Sequence, residues 1–109
     1  MALPLNVFKT VTYVAPTSPV GIYTAPVGYS SVVLLAQVAN VDAVTHSITF
    51  SHKRSSTTTE IVKDFSVQGN DTASLLDGRL ILESGDAVFL SGSNDSNLKL
   101  TLSILETLN

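Results

Sequence analysis

The chain has no cysteine, so neither a disulfide framework nor a thiolate metal site is available, and its redox compartment cannot be read. Tryptophan is absent and the aromatic share is 6%, which leaves few flat platforms on which a sugar could stack. Charge is scarce as well: 14% of residues are charged, against about 25% in ordinary globular chains. Six Lys and Arg face nine Asp and Glu for a net charge of −3, and the only adjacent basic pair is Lys53-Arg54. A nucleic-acid partner needs clustered Lys and Arg to displace counter-ions, so none is expected. No window approaches the roughly 18 apolar residues of a membrane span, so no membrane partner is expected either. The opening MALPLNVFK lacks the basic start and continuous apolar run of a signal peptide, which points to synthesis in the cytoplasm. No stretch carries a helical period.

What remains is an apolar share of 44%, an ordinary globular value, set among many Ser and Thr. At 109 residues, with no linker or shift in composition, one domain over 1–109 is expected, burying about 65% of the unfolded chain's surface. The stretch that organises it is Ser31–Val41, SVVLLAQVANV. Divided at a period of two, Val32, Leu34, Ala36 and Val38 fall on one face and Val33, Leu35, Ala39 and Val41 on the other. Apolar residues on both faces suit a strand covered on two sides. That covering is expected either from a second sheet or from a partner subunit on the outer face.

Alternation marks the other strands. Leu5–Val14 is ended by Pro16 and Pro19, which cannot donate to a ladder, and Val20–Ala25 is closed by Pro26-Val27-Gly28. His46–Lys53 puts His46, Ile48, Phe50 and His52 against a polar face, and Arg54–Thr58 reads as a polar hairpin tip before Thr59–Val67. Ala73–Leu76 and Arg79–Glu83 flank Asp77-Gly78, a strong hairpin signal. Asp86–Ser91 follows the turn Glu83–Asp86, and Asn97–Leu108 sets Leu98, Leu100, Leu102 and Ile104 against Lys99, Thr101 and Ser103. Eight or nine strands spaced in this way predict an all-β, antiparallel β-sandwich, with the jelly roll as one form of it. Met1–Pro4 reads either as an extended arm lying on a neighbour or as a loose end.

Candidate chemistry is thin. His46 and His52 are six residues apart on one strand, about 20 Å at strand rise, so they cannot share one metal ion. No nucleophile elbow accompanies the serines. Asn70-Asp71, Glu83 with Asp86, and Asn94–Asn97 offer oxygen ligands without the spacing of a calcium loop, and turn chemistry accounts for them. Catalytic, cofactor and metal residues are therefore expected to be none. A sugar site is the alternative from another class, and Tyr29, Asn70 and Asn94 would form it.

The segments MALPLNVFKTVT, IYTAPVGYSSVVLLAQVANV, TEIVKDFSV and GRLILESGDAVFLSGSNDSNLKLTLSILETLN resemble small virion structural proteins of tailed bacteriophages. The nearest likeness is to the contractile-tailed phages of marine and cyanobacterial hosts. The shared pattern is YTAP before a turn, a long apolar strand ending in AN, then L-x-L-E-x-G-D and a last alternating strand ending in LE. The resemblance implies a non-enzymatic β-sandwich accessory protein of the virion, made in the host cytoplasm and present in many copies. A capsid-decorating role comes first and a neck or tail role second, with the major capsid or neck and tail proteins as partners. The loop Ser55–Thr58 is shorter than the resemblance leads one to expect. A homo-oligomer, with a trimer as the expected count, would cover the outer apolar face. Its interface residues are expected to be Val33, Leu35, Ala39 and Val41, joined by Leu3, Leu5 and Tyr29.

Overall fold

Alternation becomes nine strands among the residues described, 5–109 of a computed structural model; the proposed arm over residues 1–4, with Leu3, lies outside them. The strands are β1 (Asn6–Val14), β2 (Val20–Thr24), β3 (Tyr29–Asn40), β4 (His46–Arg54) and β5 (Thr57–Val67), followed by β6 (Asp71–Ser74), β7 (Leu80–Leu82), β8 (Ala87–Gly92) and β9 (Leu98–Leu108). They form two antiparallel sheets packed face to face. The first runs β1-β9-β3-β6, with β7 also pairing β3, and the second runs β2-β8-β4-β5. No helix long and apolar enough to cross a membrane occurs among the described residues.

Strand β9 shows why the sandwich forms. Leu98, Leu100, Leu102 and Ile104 are fully buried, and a slip of one residue would turn all four to water. Facing them from the second sheet are Ile48 and Phe50 of β4 and Val88 and Leu90 of β8, also fully buried. β9 sits between the first strand and the third, pairing Asn6 with Thr107 and Val38 with Leu100.

Strand β3 departs from simple alternation. Its register with β9 shifts between Val33 and Leu35, a bulge that leaves one extra residue without a partner. Val33 points into the core, and beyond the bulge Ala36, Val38 and Asn40 do. Neither of the two apolar faces read from the sequence survives intact, because the bulge reverses parity in the middle of the strand. The buried Asn40 is satisfied: its side-chain amide donates to the carbonyls of Val44 (2.9 Å) and Val67 (3.0 Å), and its oxygen accepts from the Asp42 N–H. At the same end, a Cβ on Gly69 would lie 2.2 Å from the Ala43 carbonyl oxygen, so only glycine admits that approach.

One expected hairpin is absent. Asp77-Gly78 does not join two strands that pair with each other; β6 and β7 both pair with β3, one beyond the other along its length. Gly78 takes φ 106°, so the dipeptide does make a turn. The turn feeds the chain back to the same neighbour because Leu80 and Leu82 find their core positions beside β3.

Candidate functional site

The outer face of the first sheet is the most unusual surface of the molecule. Two bonds fix which residues it carries: Leu108 N–H donates to the Leu5 carbonyl and Ala15 N–H to the Leu98 carbonyl, each at 2.8 Å. Between these ends the β1–β9 register is unbroken. Since Leu98 through Ile104 point inward at alternate positions, Asn6, Phe8, Thr10, Thr12 and Val14 share the outer face with Lys99, Thr101, Ser103, Leu105 and Thr107. Strand β3 adds Val32, Gln37 and Ala39, and β7 adds Ile81, opposite Val32.

Across this face the register aligns Phe8, Leu105, Val32 and Ile81 in one row perpendicular to the strands. Phe8 is 74% exposed and Ile81 55%. Next to the row a shallow depression of about 190 Å³ is lined in part by Phe8, Thr10, Leu34 and Ser103. Leu34 and Leu35, both 38% exposed, are half out of the core because the bulge takes them from it. Lys99 is the single charged residue among these positions. An apolar row set in Ser and Thr with so little charge is the composition of a contact surface.

The expected interface residues are distributed unevenly over the molecule. Leu35 and Ala39 belong to this face, and Ala39 is half-buried opposite Lys99. Leu5 is strongly exposed just before β1, and Val41 is exposed just past the end of β3. Val33 is a correction: it is fully buried in the chain's own core and cannot meet a partner. Tyr29 is another, since it is buried as the first residue of β3 rather than displayed in a turn, and its N–H donates to the Pro26 carbonyl at 3.0 Å. Sequence reading missed Phe8, Val32, Leu105 and Ile81. Each was visible as an apolar residue at an awkward position, Phe8 among Asn and Thr and Ile81 between two leucines, but only the pairing register sets them side by side.

Both histidines contact carboxylates, which strand spacing did not reveal. His52 Nε2 lies 3.1 Å from Asp86 Oδ2. The same carboxylate, 3% exposed, accepts from Arg54 Nε (2.9 Å), Arg54 Nη2 (2.7 Å) and the Glu83 N–H (2.9 Å). The Arg54 guanidinium holds the Asp86 carboxyl well below the usual carboxylate range, and a carboxylate so committed is a poor proton acceptor. Its role is a joint, tying the β4–β5 hairpin tip to the turn before β8. His46 Nε2 lies 2.9 Å from Asp42 Oδ2, and that contact lowers the Asp42 pKa. Between the sheets, the Tyr23 hydroxyl bonds Glu106 and Ser31, and Lys9 Nζ reaches Glu106 at 3.2 Å. Burial, reinforced by Glu106, pushes the Tyr23 hydroxyl well above its ordinary value, so it stays a donor.

The loop oxygens considered for calcium are engaged in turns. Asn94 Oδ1 accepts from the N–H groups of Ser96 and Asn97, Asp95 from Thr17, and Asp71 from Thr72. Among the described residues no group of three or more His, Asp or Glu is placed to hold a metal ion. The three residues considered for sugar do not converge. Tyr29 begins β3, whereas Asn70 bonds Asp42 just past its end, about 40 Å away at strand rise.

Known proteins place the fold. No protein-family model matches the sequence, and no curated protein matches it. Solved structures of similar fold include two of differing origin. A chain from the acid-stable capsid of Helicobacter pylori bacteriophage KHP30 has a TM-score of 0.57 at 12% identity, over 96% of this chain and 89% of its own. A chain from Bacillus endospore appendages, described as disulfide-linked pili, has a TM-score of 0.54 at 16% identity, over 95% and 88%. The expected marine or cyanobacterial type is corrected here: the phage structure described is that of a Helicobacter pylori bacteriophage. At these identities the chain shares a fold with both, the antiparallel β-sandwich.

Proposed function

We propose that this chain is a non-enzymatic structural protein of a phage particle, using the outer face of the β1-β9-β3 sheet to contact its neighbours. The observation that carries the reading is the uncharged apolar row Phe8, Leu105, Val32 and Ile81, set in Ser and Thr and left open by the described residues. The sheet orders β1-β9-β3-β6 and β2-β8-β4-β5 support a jelly-roll reading of the sandwich, an architecture that recurs in viral capsids. The fold neighbours support the same reading, since one comes from a phage capsid and the other from a pilus. Capsid decoration is the first role, because a single small domain suits a surface cap, and a neck or tail position is the second. Partners are other virion proteins and further copies of the chain.

Antibody raised against the purified chain and applied to virions from a producing host tests the proposal by immunogold microscopy. Label over the head surface is expected. Label confined to the neck or tail would move the protein to the second role, and particles without label would overturn the virion reading.

A further inference from the structure

We propose that the free edge of β1 pairs antiparallel with the β1 edge of a second copy, about a twofold axis through Thr10. This stands on the edge itself and would survive failure of the virion reading.

A β-sandwich has four sheet edges, and an exposed edge is a template for another strand unless something blunts it. Three edges here are blunted. β2 is five residues long, carries a register shift between Gly21 and Tyr23, and lies between Pro19 and Pro26. The edge made by β6 and β7 is broken into strands of four and three residues. β5 is long, but its register with β4 shifts twice, Asp64 takes φ 49°, and Glu60, Lys63 and Asp64 line it.

β1 has none of these devices. It runs nine residues with no register shift against β9 and no proline. Its one charge, Lys9, is occupied with Glu106. The terminal bonds at Leu5 and Ala15 show that odd-numbered residues direct their backbone groups to β9. By alternation Asn6, Phe8, Thr10, Thr12 and Val14 direct N–H and C=O to the open edge. Among the described residues no strand pairs there.

A second copy satisfies that edge in one best register. With the axis through Thr10, each Thr10 faces its own copy, Phe8 faces Thr12 and Asn6 faces Val14, forming about ten backbone hydrogen bonds. Moving the axis to Lys9 sets two lysines directly opposite, which is destabilising, and moving it to Val11 leaves Asn6 unpaired. Lys9 alone among the meeting residues is charged; it faces Val11 of the copy, and its pairing with Glu106 offsets the charge of the two lysines that stand diagonally across the axis. Each exposed Phe8 ring gains the neighbouring threonine as cover, and both outer faces lie on the same side of one continuous sheet.

The test uses the full chain and three variants. Light scattering is expected to give the wild type a mass built from pairs of the 11.5 kDa chain. Thr10→Pro removes an N–H that serves only the free edge, so it should halve that mass while leaving the circular dichroism spectrum and melting temperature close to wild type. Thr10→Cys should form an intermolecular disulfide on mild oxidation, since facing Cα atoms lie about 5.5 Å apart. Thr12→Cys should not, because its counterpart sits four residues away, about 13 Å along the strand. The cysteine pair decides the matter even if the proline variant does not fold. A monomeric wild type, an oligomer whose mass Thr10→Pro leaves unchanged, or equal cross-linking at both positions would overturn the edge pairing. The last two results would leave contact through the sheet face standing.

Discussion

Asp86 shows how much one side chain can hold when it is buried and charged. It joins Arg54 and His52 on β4 to the Glu83 backbone, and a buried carboxylate is tolerable only with such a set of partners. Asp86→Asn should cost about 2 kcal/mol at neutral pH, the loss expected when hydrogen bonds to a charged group are weakened; urea unfolding measures it. The pH dependence follows from the direction of the shift. Because the folded state holds Asp86 below its ordinary pKa, its contribution is complete above the unfolded value and is lost as pH falls from about 4 through the folded value. Wild-type melting temperature should therefore drop in acid, and the gap between wild type and Asp86→Asn should narrow as it does. None of this was legible in the sequence, where Asp86 read as a turn former and His52 as a residue on a strand face. Contacts between residues more than thirty positions apart leave no local pattern.

At the scale of the element, β3 is where sequence and structure part most sharply. Its apolar residues suffice to identify a central strand, and it is one. Period-two parity assigned Val33 and Leu35 to the same outer face, however, and the bulge separates them. Val33→Asp places an unpaired charge in the core and should unfold the domain, with a cost above about 4 kcal/mol. Leu35→Asp lies on a half-exposed outer position and should cost about 1 kcal/mol, weakening contacts made through the sheet face while leaving the β1-edge pair assembled. Paired denaturation and light-scattering measurements on the two variants separate the effects; loss of folding in Leu35→Asp would place Leu35 in the core instead. A bulge depends on how two strands meet, so a single strand's residues do not announce it. By contrast β9 was fully legible, because its leucines alternate without interruption and no bulge interrupts its pairing with β1.

For the whole molecule, the first and last strands lie side by side and β9 is the bridge between β1 and β3. Although β6 and β7 can pair with β3 earlier, β1 has no partner and the buried row of Leu98, Leu100, Leu102 and Ile104 is missing until the final strand arrives, which makes folding a cooperative, long-range event. Truncation after Asn97 should therefore yield a chain without the β-sheet circular dichroism signal or a melting transition, rather than a smaller folded domain. Retention of a cooperative melt in that truncation would show that the second sheet folds without the first.

By itself the sequence determined that this chain builds β-strands, roughly where they lie, and which side of β4 and β9 is buried. Those properties are local, set by alternation, turn residues and the scarcity of charge. Tertiary structure alone decided that Phe8, Leu105, Val32 and Ile81 stand in one row, that Val33 turns inward, and that β1 is left with an open edge. Strand order and register bring those residues together from across the chain, and they are fixed by the packing of one strand against another rather than by any stretch of residues read alone.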